Sequence, residues 1–228
     1  MKIIVLILGY HHEICYNYIK TIEKTWGTST NSNINIIYSF GGSNTNSFDG
    51  KIINVVDEDY GAKNTYKKLL SVLEVAYNNL DFDIILKTSL NAYFRLDIFE
   101  KIISTYDLKD FFGSASLPGF NKNYPNGMSM LLSRDVVEKI IKNKDLWPAD
   151  KNPSEDDVGI GMLLKKIYPN YFDIYIHFDR KDIGGSNLSQ LEDPLFKTKN
   201  DNIWCFRCKS LDRSLDLKKM ELLQKIFY

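Results

Sequence analysis

The sequence predicts an α/β fold, a single three-layer domain around a mixed, mostly parallel central sheet. Three observations carry that expectation. Lys2–Leu8 and Asp83–Lys87 have continuously apolar centres, the pattern of strands buried on both faces. Other stretches space their apolar side chains at helical intervals, so each helix has one face to bury against a sheet. The elements of the first half follow one another as β-α-β-β-α-β-α, the order that builds parallel pairs through helical crossovers.

Each element has its own warrant. Gly9 ends the first strand. Residues 13–25 read as a helix, with Ile14, Tyr18 and Ile22 on one side. Ile34–Phe40 and Lys51–Val56 read as strands, separated by a Gly/Ser/Asn-rich loop over 41–50. Residues 62–79 form a stripe of Tyr66, Leu69, Leu70, Leu73 and Ala76. A helix over 96–106 follows the Asp83 strand and carries Ile98, Phe99, Ile102, Ile103 and Tyr106. The second half is less regular. Met128–Leu132 and Phe172–Ile176 read as strands, 134–143 and 156–167 as helices, 179–202 as a long loop, and 211–226 as a final amphipathic helix. No repeat, low-complexity tract or linker interrupts the chain, which predicts one domain over 1–228.

Composition excludes several classes. The chain has 228 residues, 44% hydrophobic and 25% charged, and a chain of that size buries roughly 70% of its unfolded surface without a disulfide or metal staple. Twenty-nine basic and 29 acidic residues cancel, so nothing marks it as a nucleic-acid-binding or membrane-surface protein. The first aliphatic run, Ile3–Leu8, is far shorter than the roughly 20 residues of a membrane span. It also lacks a signal-peptide cleavage site. Three cysteines cannot all pair internally, and the expected compartment is the reducing cytoplasm.

In an open α/β sheet, ligands bind beyond the carboxyl ends of the strands. That rule singles out Gly9–His12, Asp57–Tyr60, Thr88–Asn91 and the loops of the second half. No G-x-G-x-x-G follows the first strand, and no P-loop, G-x-S-x-G or H-E-x-x-H occurs. Asp81 and Asp83 enter a strand at its amino end and read as solvated turn residues. Asp57 and Asp59 lie at the correct end, where they either touch a ligand or cap the following helix. His11 and His12 occupy the tip after the first strand. Gly184-Gly185-Ser186 either wraps a phosphate with backbone amides or is plain surface. Cys205 and Cys208 form a lone C-x-x-C without a second pair, which predicts buried thiols and not a zinc site. Arg207, Lys209 and Arg213 make a local basic patch.

Five segments together resemble the β-1,3-galactosyltransferase/fringe type of nucleotide-sugar glycosyltransferase, which has the GT-A fold. Ile22-Glu-Lys-Thr-Trp-Gly27 is similar to that family's I-R-x-T-W-G, and Asp57-Glu-Asp-Tyr60 to its D-x-x-D-S-Y. Asp83–Phe94 resembles Y-I-L-K-T-D-D-D-V-F. Tyr124–Asp135 resembles the Y-P-x-Y-x-x-G-x-G-Y-V-L-S-R-D segment, and Glu155–Gly161 resembles E-D-V-Y-V-G. They occur in the family's order across about residues 1–177.

The resemblance implies an inverting transfer from a nucleotide-diphosphate donor, UDP-sugar by analogy, to a glycan or other hydroxyl acceptor. Residues 1–110 would form the donor half and 111–228 the acceptor and catalytic half. It places the general base at Asp157, with Asp156 as its nearest substitute. Ser154–Asp157 equally has the form of a helix capping box. Donor contacts are expected from Gly9, His11, Asp59, Lys87, Ser89 and Asn91, and acceptor contacts from Gly127 and Asp156. His177 matches the family histidine at the metal and diphosphate, and would share a metal with Asn91. Two departures stand out. Glu23 replaces the family arginine, and Ser89-Leu90-Asn91 replaces the acidic triplet. A neutral amide oxygen is a poor ligand for a hard cation, so Mn²⁺ or Mg²⁺ is expected to bind weakly. Metal-independent catalysis, with Arg207 neutralising the diphosphate, is the expected consequence. The alternative is a degenerate relative that binds a nucleotide-sugar or glycan without transfer.

Overall fold

The computed structural model describes residues 1–29, 33–58, 65–117, 124–146, 155–183 and 188–228. The first half contains β1 (Ile3–Leu8), α1 (Glu13–Lys24), β2 (Ile34–Phe40), β3 (Ser47–Phe48), β4 (Ile52–Asn54), α2 (Thr65–Asn79), β5 (Ile84–Ser89), β6 (Ala92–Phe94) and α3 (Leu96–Ile103). The second half adds β7 (Phe112–Ser116), β8 (Ser129–Ser133), α4 (Arg134–Lys142), α5 (Asp156–Ile167), α6 (Tyr171–Ile174) and β9 (Ile176–Asp179). It ends with β10 (Lys181–Asp182), α7 (Ser189–Glu192), α8 (Phe196–Lys199), β11 (Cys205–Arg207) and α9 (Arg213–Phe227).

The predicted α/β class and its mostly parallel sheet are what the structure shows. The main sheet has the order β3-β4-β2-β1-β5-β8-β7-β9. The two runs expected at its centre are adjacent there, paired in parallel from Ile3↔Ile84 to Leu8↔Ser89. Strand β8 runs antiparallel to both β5 and β7, and β3 antiparallel to β4; the remaining pairs are parallel. A small second sheet, β10-β11-β6, packs beside the carboxyl end of β5.

Alternation along β1 divides the core. Ile3, Val5 and Ile7 face α1, α3, α9 and an aromatic cluster of Trp26, Phe94, Phe99 and Trp204. Ile4 and Leu6 face the other layer, with Leu69 and Leu73 of α2, Val136 and Ile140 of α4, and Ile160 and Leu163 of α5. Each such side chain contributes about 1.5–3 kcal/mol by leaving water, so the sheet is fixed from both sides.

Residues 172–176 depart from expectation. Instead of a strand, 171–174 make the helical turn α6, and β9 begins only at Ile176. A strand would have buried Asp173 between Tyr171 and Tyr175 on one face. The turn instead stacks those tyrosines on each other at 5.5 Å and packs both on Phe112, leaving Phe172 exposed. Within the expected loop over 179–202 lie β10, α7 and α8, anchored by buried Leu191 and Phe196. Strand β7, Phe-Gly-Ser-Ala-Ser, gives no apolar signal because its neighbours crowd it. A Cβ on Gly113 would lie 2.2 Å from the Ile176 carbonyl oxygen.

His12, singled out as a loop-tip residue, is the N-cap of α1. Its Nδ1 accepts the Ile14 amide at 3.2 Å. His12→Ala should therefore cost about 0.5–1 kcal/mol, and His12→Asn should recover most of it. Urea unfolding midpoints of the two variants check this.

Candidate active site

The parallel centre brings the carboxyl ends of β1 and β5 to one edge, and a cleft of about 430 Å³ opens there. Leu8, Lys87, Ser89 and Asn91 form its floor. Asn126, Gly127 and Met128 precede β8, and Glu155, Asp156 and Asp157 open α5. Arg207 and Lys209 end and follow β11. Lys87, Ser89, Asn91, Gly127, Asp156, Asp157 and Arg207, all singled out from sequence, thus line one cleft.

The acidic side is built on a helix start. Val158 N–H donates to Asp157 Oδ1 at 2.8 Å, and Gly127 N–H donates to Asp157 Oδ2 at 3.2 Å. Asp157 N–H donates to Asp156 Oδ1 at 3.0 Å, and the Lys87 ammonium bonds Asp156 Oδ2. Lys87 also donates to the Gly127 carbonyl at 2.5 Å. Asp157 thus bonds an amide of the first turn of α5, while the N-cap is Glu155, whose side chain makes no cap bond. Ser154 lies outside the described residues.

The basic side hangs on the small sheet. Arg207 is in register with Ala92, and Cys208 N–H donates to the Asn91 carbonyl at 2.9 Å. These bonds set Arg207 and Lys209 beside the end of β5. Asp182 is gripped by the buried Arg180, with Nε to Oδ1 at 2.6 Å and Nη2 to Oδ2 at 3.2 Å. Arg207 stands farther from Asp182, at 3.8 Å, and lines the cleft. Cys205 and Cys208 are buried free thiols, and desolvation pushes both well above their ordinary range.

At the position of the acidic triplet, Leu90 turns into the core and the Ser89 hydroxyl donates to Asn91 Oδ1 at 2.9 Å. Of the carboxylates beside them, Asp156 is held by Lys87 and Asp157 by backbone amides. Among the described residues no cluster of three or more His, Cys, Asp or Glu is placed to hold a metal.

Among solved structures, the chain is similar to a glycosyltransferase involved in glycosylation of the major capsid of PBCV-1. Identity is 12% and the TM-score 0.57, over 97% of this chain and 100% of that one. The chain shares the fold of that glycosyltransferase. The glycosyltransferase GlyE of Streptococcus pneumoniae TIGR4 is 13% identical, with a TM-score of 0.48. This chain is covered over 96% and spans 60% of that protein's length. The apo form of GlyE gives 14% and 0.46, over 100% of this chain and 65% of that one. No protein-family model and no curated protein matches the chain.

Other predicted residues fall elsewhere in this glycosyltransferase fold. Gly9 ends β1 with both backbone groups engaged, its N–H to Ser39 and its carbonyl by the buried Lys68 at 2.5 Å. His11 stacks on Phe40 at 4.7 Å, and its Nδ1 meets the Tyr16 hydroxyl at 2.8 Å. Neither lines the cleft. Asp59, Tyr60 and Gly184-Gly185-Ser186 lie outside the described residues. Asp57 keeps its Oδ2 buried, with no hydrogen-bond partner among them. His177 lies within β9, not after a strand, with Nδ1 3.1 Å from Ser116 Oγ and Nε2 3.7 Å from Asp179. Strand β9 is the far edge of the sheet, and His177 is not brought to Asn91. Arg213 pairs with Asp216 at 3.3 Å and lines a smaller pocket with Tyr10, Ile14 and Tyr18. Asn126 and Glu155 were missed as site residues, although each neighbours a predicted one.

Proposed function

We propose that the chain is an inverting glycosyltransferase that moves a sugar from a nucleotide-diphosphate donor, a UDP-sugar, to a hydroxyl of a glycan or other acceptor. The carrying observation is the cleft itself, in which the Asp157 carboxylate and the Arg207 and Lys209 cations converge at the carboxyl ends of β1 and β5. In the proposed step the acceptor oxygen attacks the anomeric carbon and its proton passes to Asp157. The bond from that carbon to the diphosphate oxygen breaks, and the nucleoside diphosphate leaves with the electron pair. The start of α5 favours negative charge on Asp157. Each Asp157 oxygen accepts one backbone bond and keeps a lone pair for the proton. Arg207 and Lys209 supply the positive charge for the leaving diphosphate.

In this reading residues 1–110 bind the donor, while Gly127 and Asp156 border the acceptor. The unpaired Asp57 oxygen supports a polar donor contact at the end of β4. Three free buried thiols support a reducing, cytoplasmic setting. Among the described residues no helix is long and apolar enough to cross a membrane.

UDP release from a panel of UDP-hexoses, with water as acceptor, tests the proposal. Turnover in EDTA should stay within about threefold of that in Mn²⁺, because the cations of the cleft belong to the protein. Strict Mn²⁺ dependence would overturn the metal-independent part. Stabilisation by UDP without release from any donor would favour the binding-module alternative, for which the neutral Ser89–Asn91 pair is the supporting observation.

A further inference from the structure

We infer that Lys87 is a positioning residue, one that locks Asp156 and the Gly127 turn onto β5 and so leaves Asp157 as the free base of the pair. The inference rests on the assignment of Asp157 above. It also changes the expected part of Lys87, from donor contact to internal clamp.

The side chain of Lys87 is only 3% exposed. Two of its three N–H donors are spent inside the protein, on Gly127 carbonyl oxygen and Asp156 Oδ2. A lysine kept for a phosphate keeps its donors for the ligand; this one lines the cleft with only one of three left uncommitted by these bonds. The bonds form a closed ring, from Lys87 to Asp156, from Asp156 Oδ1 to the Asp157 amide, from Asp157 Oδ2 to the Gly127 amide, and from the Gly127 carbonyl back to Lys87. Three separate elements, β5, the turn before β8 and the start of α5, are tied at one point. Gly127 is part of the device, because a Cβ there would lie 3.1 Å from Asp156 Oδ1 and 3.2 Å from Asp157 Oδ2.

The ring treats the two carboxylates differently. Asp156 carries a full positive partner and is neutralised. Among the described residues Asp157 accepts the Gly127 and Val158 amides and meets no cation. The other charged groups at the cleft are Glu155 on α5 and Arg207 and Lys209 from the small sheet, and none of them is hydrogen-bonded into the ring. Removing Lys87 alone would leave the half-buried Asp156 carboxylate without its counter-charge; removing both partners would leave no such charge.

The test compares Lys87→Met, Asp156→Asn and the double variant with the parent chain. Lys87→Met should lower Tm by about 5–15 °C near neutral pH, and the double variant should recover more than half of that loss. UDP affinity should remain within about threefold in Lys87→Met, whereas UDP release falls about tenfold. A double variant no more stable than the single one would overturn the clamp. A UDP affinity reduced tenfold or more would return Lys87 to the donor site. Asp157→Asn measured alongside separates the two claims: parental turnover there would sink the base assignment, and the Tm results would still judge the clamp.

Discussion

Asp157→Asn is expected to cut sugar transfer and UDP release by about 10²-fold or more, because the amide cannot take the acceptor proton. Its effect on stability should be moderate. The Asn side-chain oxygen can still accept the Val158 amide, as Asp157 Oδ1 does at 2.8 Å, so that bond in the first turn of α5 is kept. The NH₂ group would then face the Gly127 amide, and that 3.2 Å bond is lost. A hydrogen bond to a charged acceptor is worth about 1.5–3 kcal/mol, or roughly 3–12 °C in Tm for a chain of this length. UDP affinity should hold, since Asp157 stands on the acidic side and the diphosphate is assigned to Arg207 and Lys209. A large loss of Tm with unchanged turnover per folded molecule would make Asp157 a support of the helix start and nothing more. Asp156→Asn is the neighbouring control, and a larger loss of turnover there would move the base by one residue.

The residues of this site were legible in the sequence where local signals and strand ends coincide. Lys2–Leu8 and Asp83–Lys87 announce a buried centre because every position in such strands faces a packed layer. The rule of carboxyl ends then points to Ser89 and Asn91, and the resemblance to Gly127, Asp156 and Asp157. The small sheet was harder. Strand β6 is three residues long and β10 only two, and their pairing with β11 is set by contacts distant in sequence. Arg207 therefore read as part of a basic patch before a helix, with no sign that its register with Ala92 would set it beside Asn91. Lys87 shows a different limit. A lysine closing an apolar strand looks the same whether it faces a ligand or an internal carboxylate. Only the approach of α5 decides. His177 was misplaced because the alternation of residues 172–176 conceals the i, i+4 pairing of Tyr171 and Tyr175.

Trp204→Ala should produce the largest loss of stability and, unlike other core deletions, should also weaken donor binding. Trp204 is 2% exposed and sits immediately before β11. Its ring lies 4.7 Å from Phe99, 5.8 Å from Phe94 and 6.0 Å from Phe178, and its carbonyl accepts the Arg95 amide at 2.9 Å. Removing a buried indole costs about 3–5 kcal/mol, which corresponds to a fall of about 6–20 °C in Tm. The cavity opens under the small sheet that holds Arg207 and Lys209, so the cations of the cleft lose their fixed seat. UDP affinity should drop about tenfold even at temperatures where the variant is folded, since loosened contacts must be ordered again on binding. Ile140→Ala is the matched comparison. It empties the opposite core layer, on α4, at about 2–5 kcal/mol, and no residue of α4 lines the cleft. Its Tm should fall while UDP affinity stays within about twofold. Equal UDP affinity in the two variants would mean that Arg207 and Lys209 do not hold the diphosphate, or that β11 needs no support from Trp204. Arg207→Met then separates those two cases, because it removes the guanidinium and leaves the aromatic cluster intact.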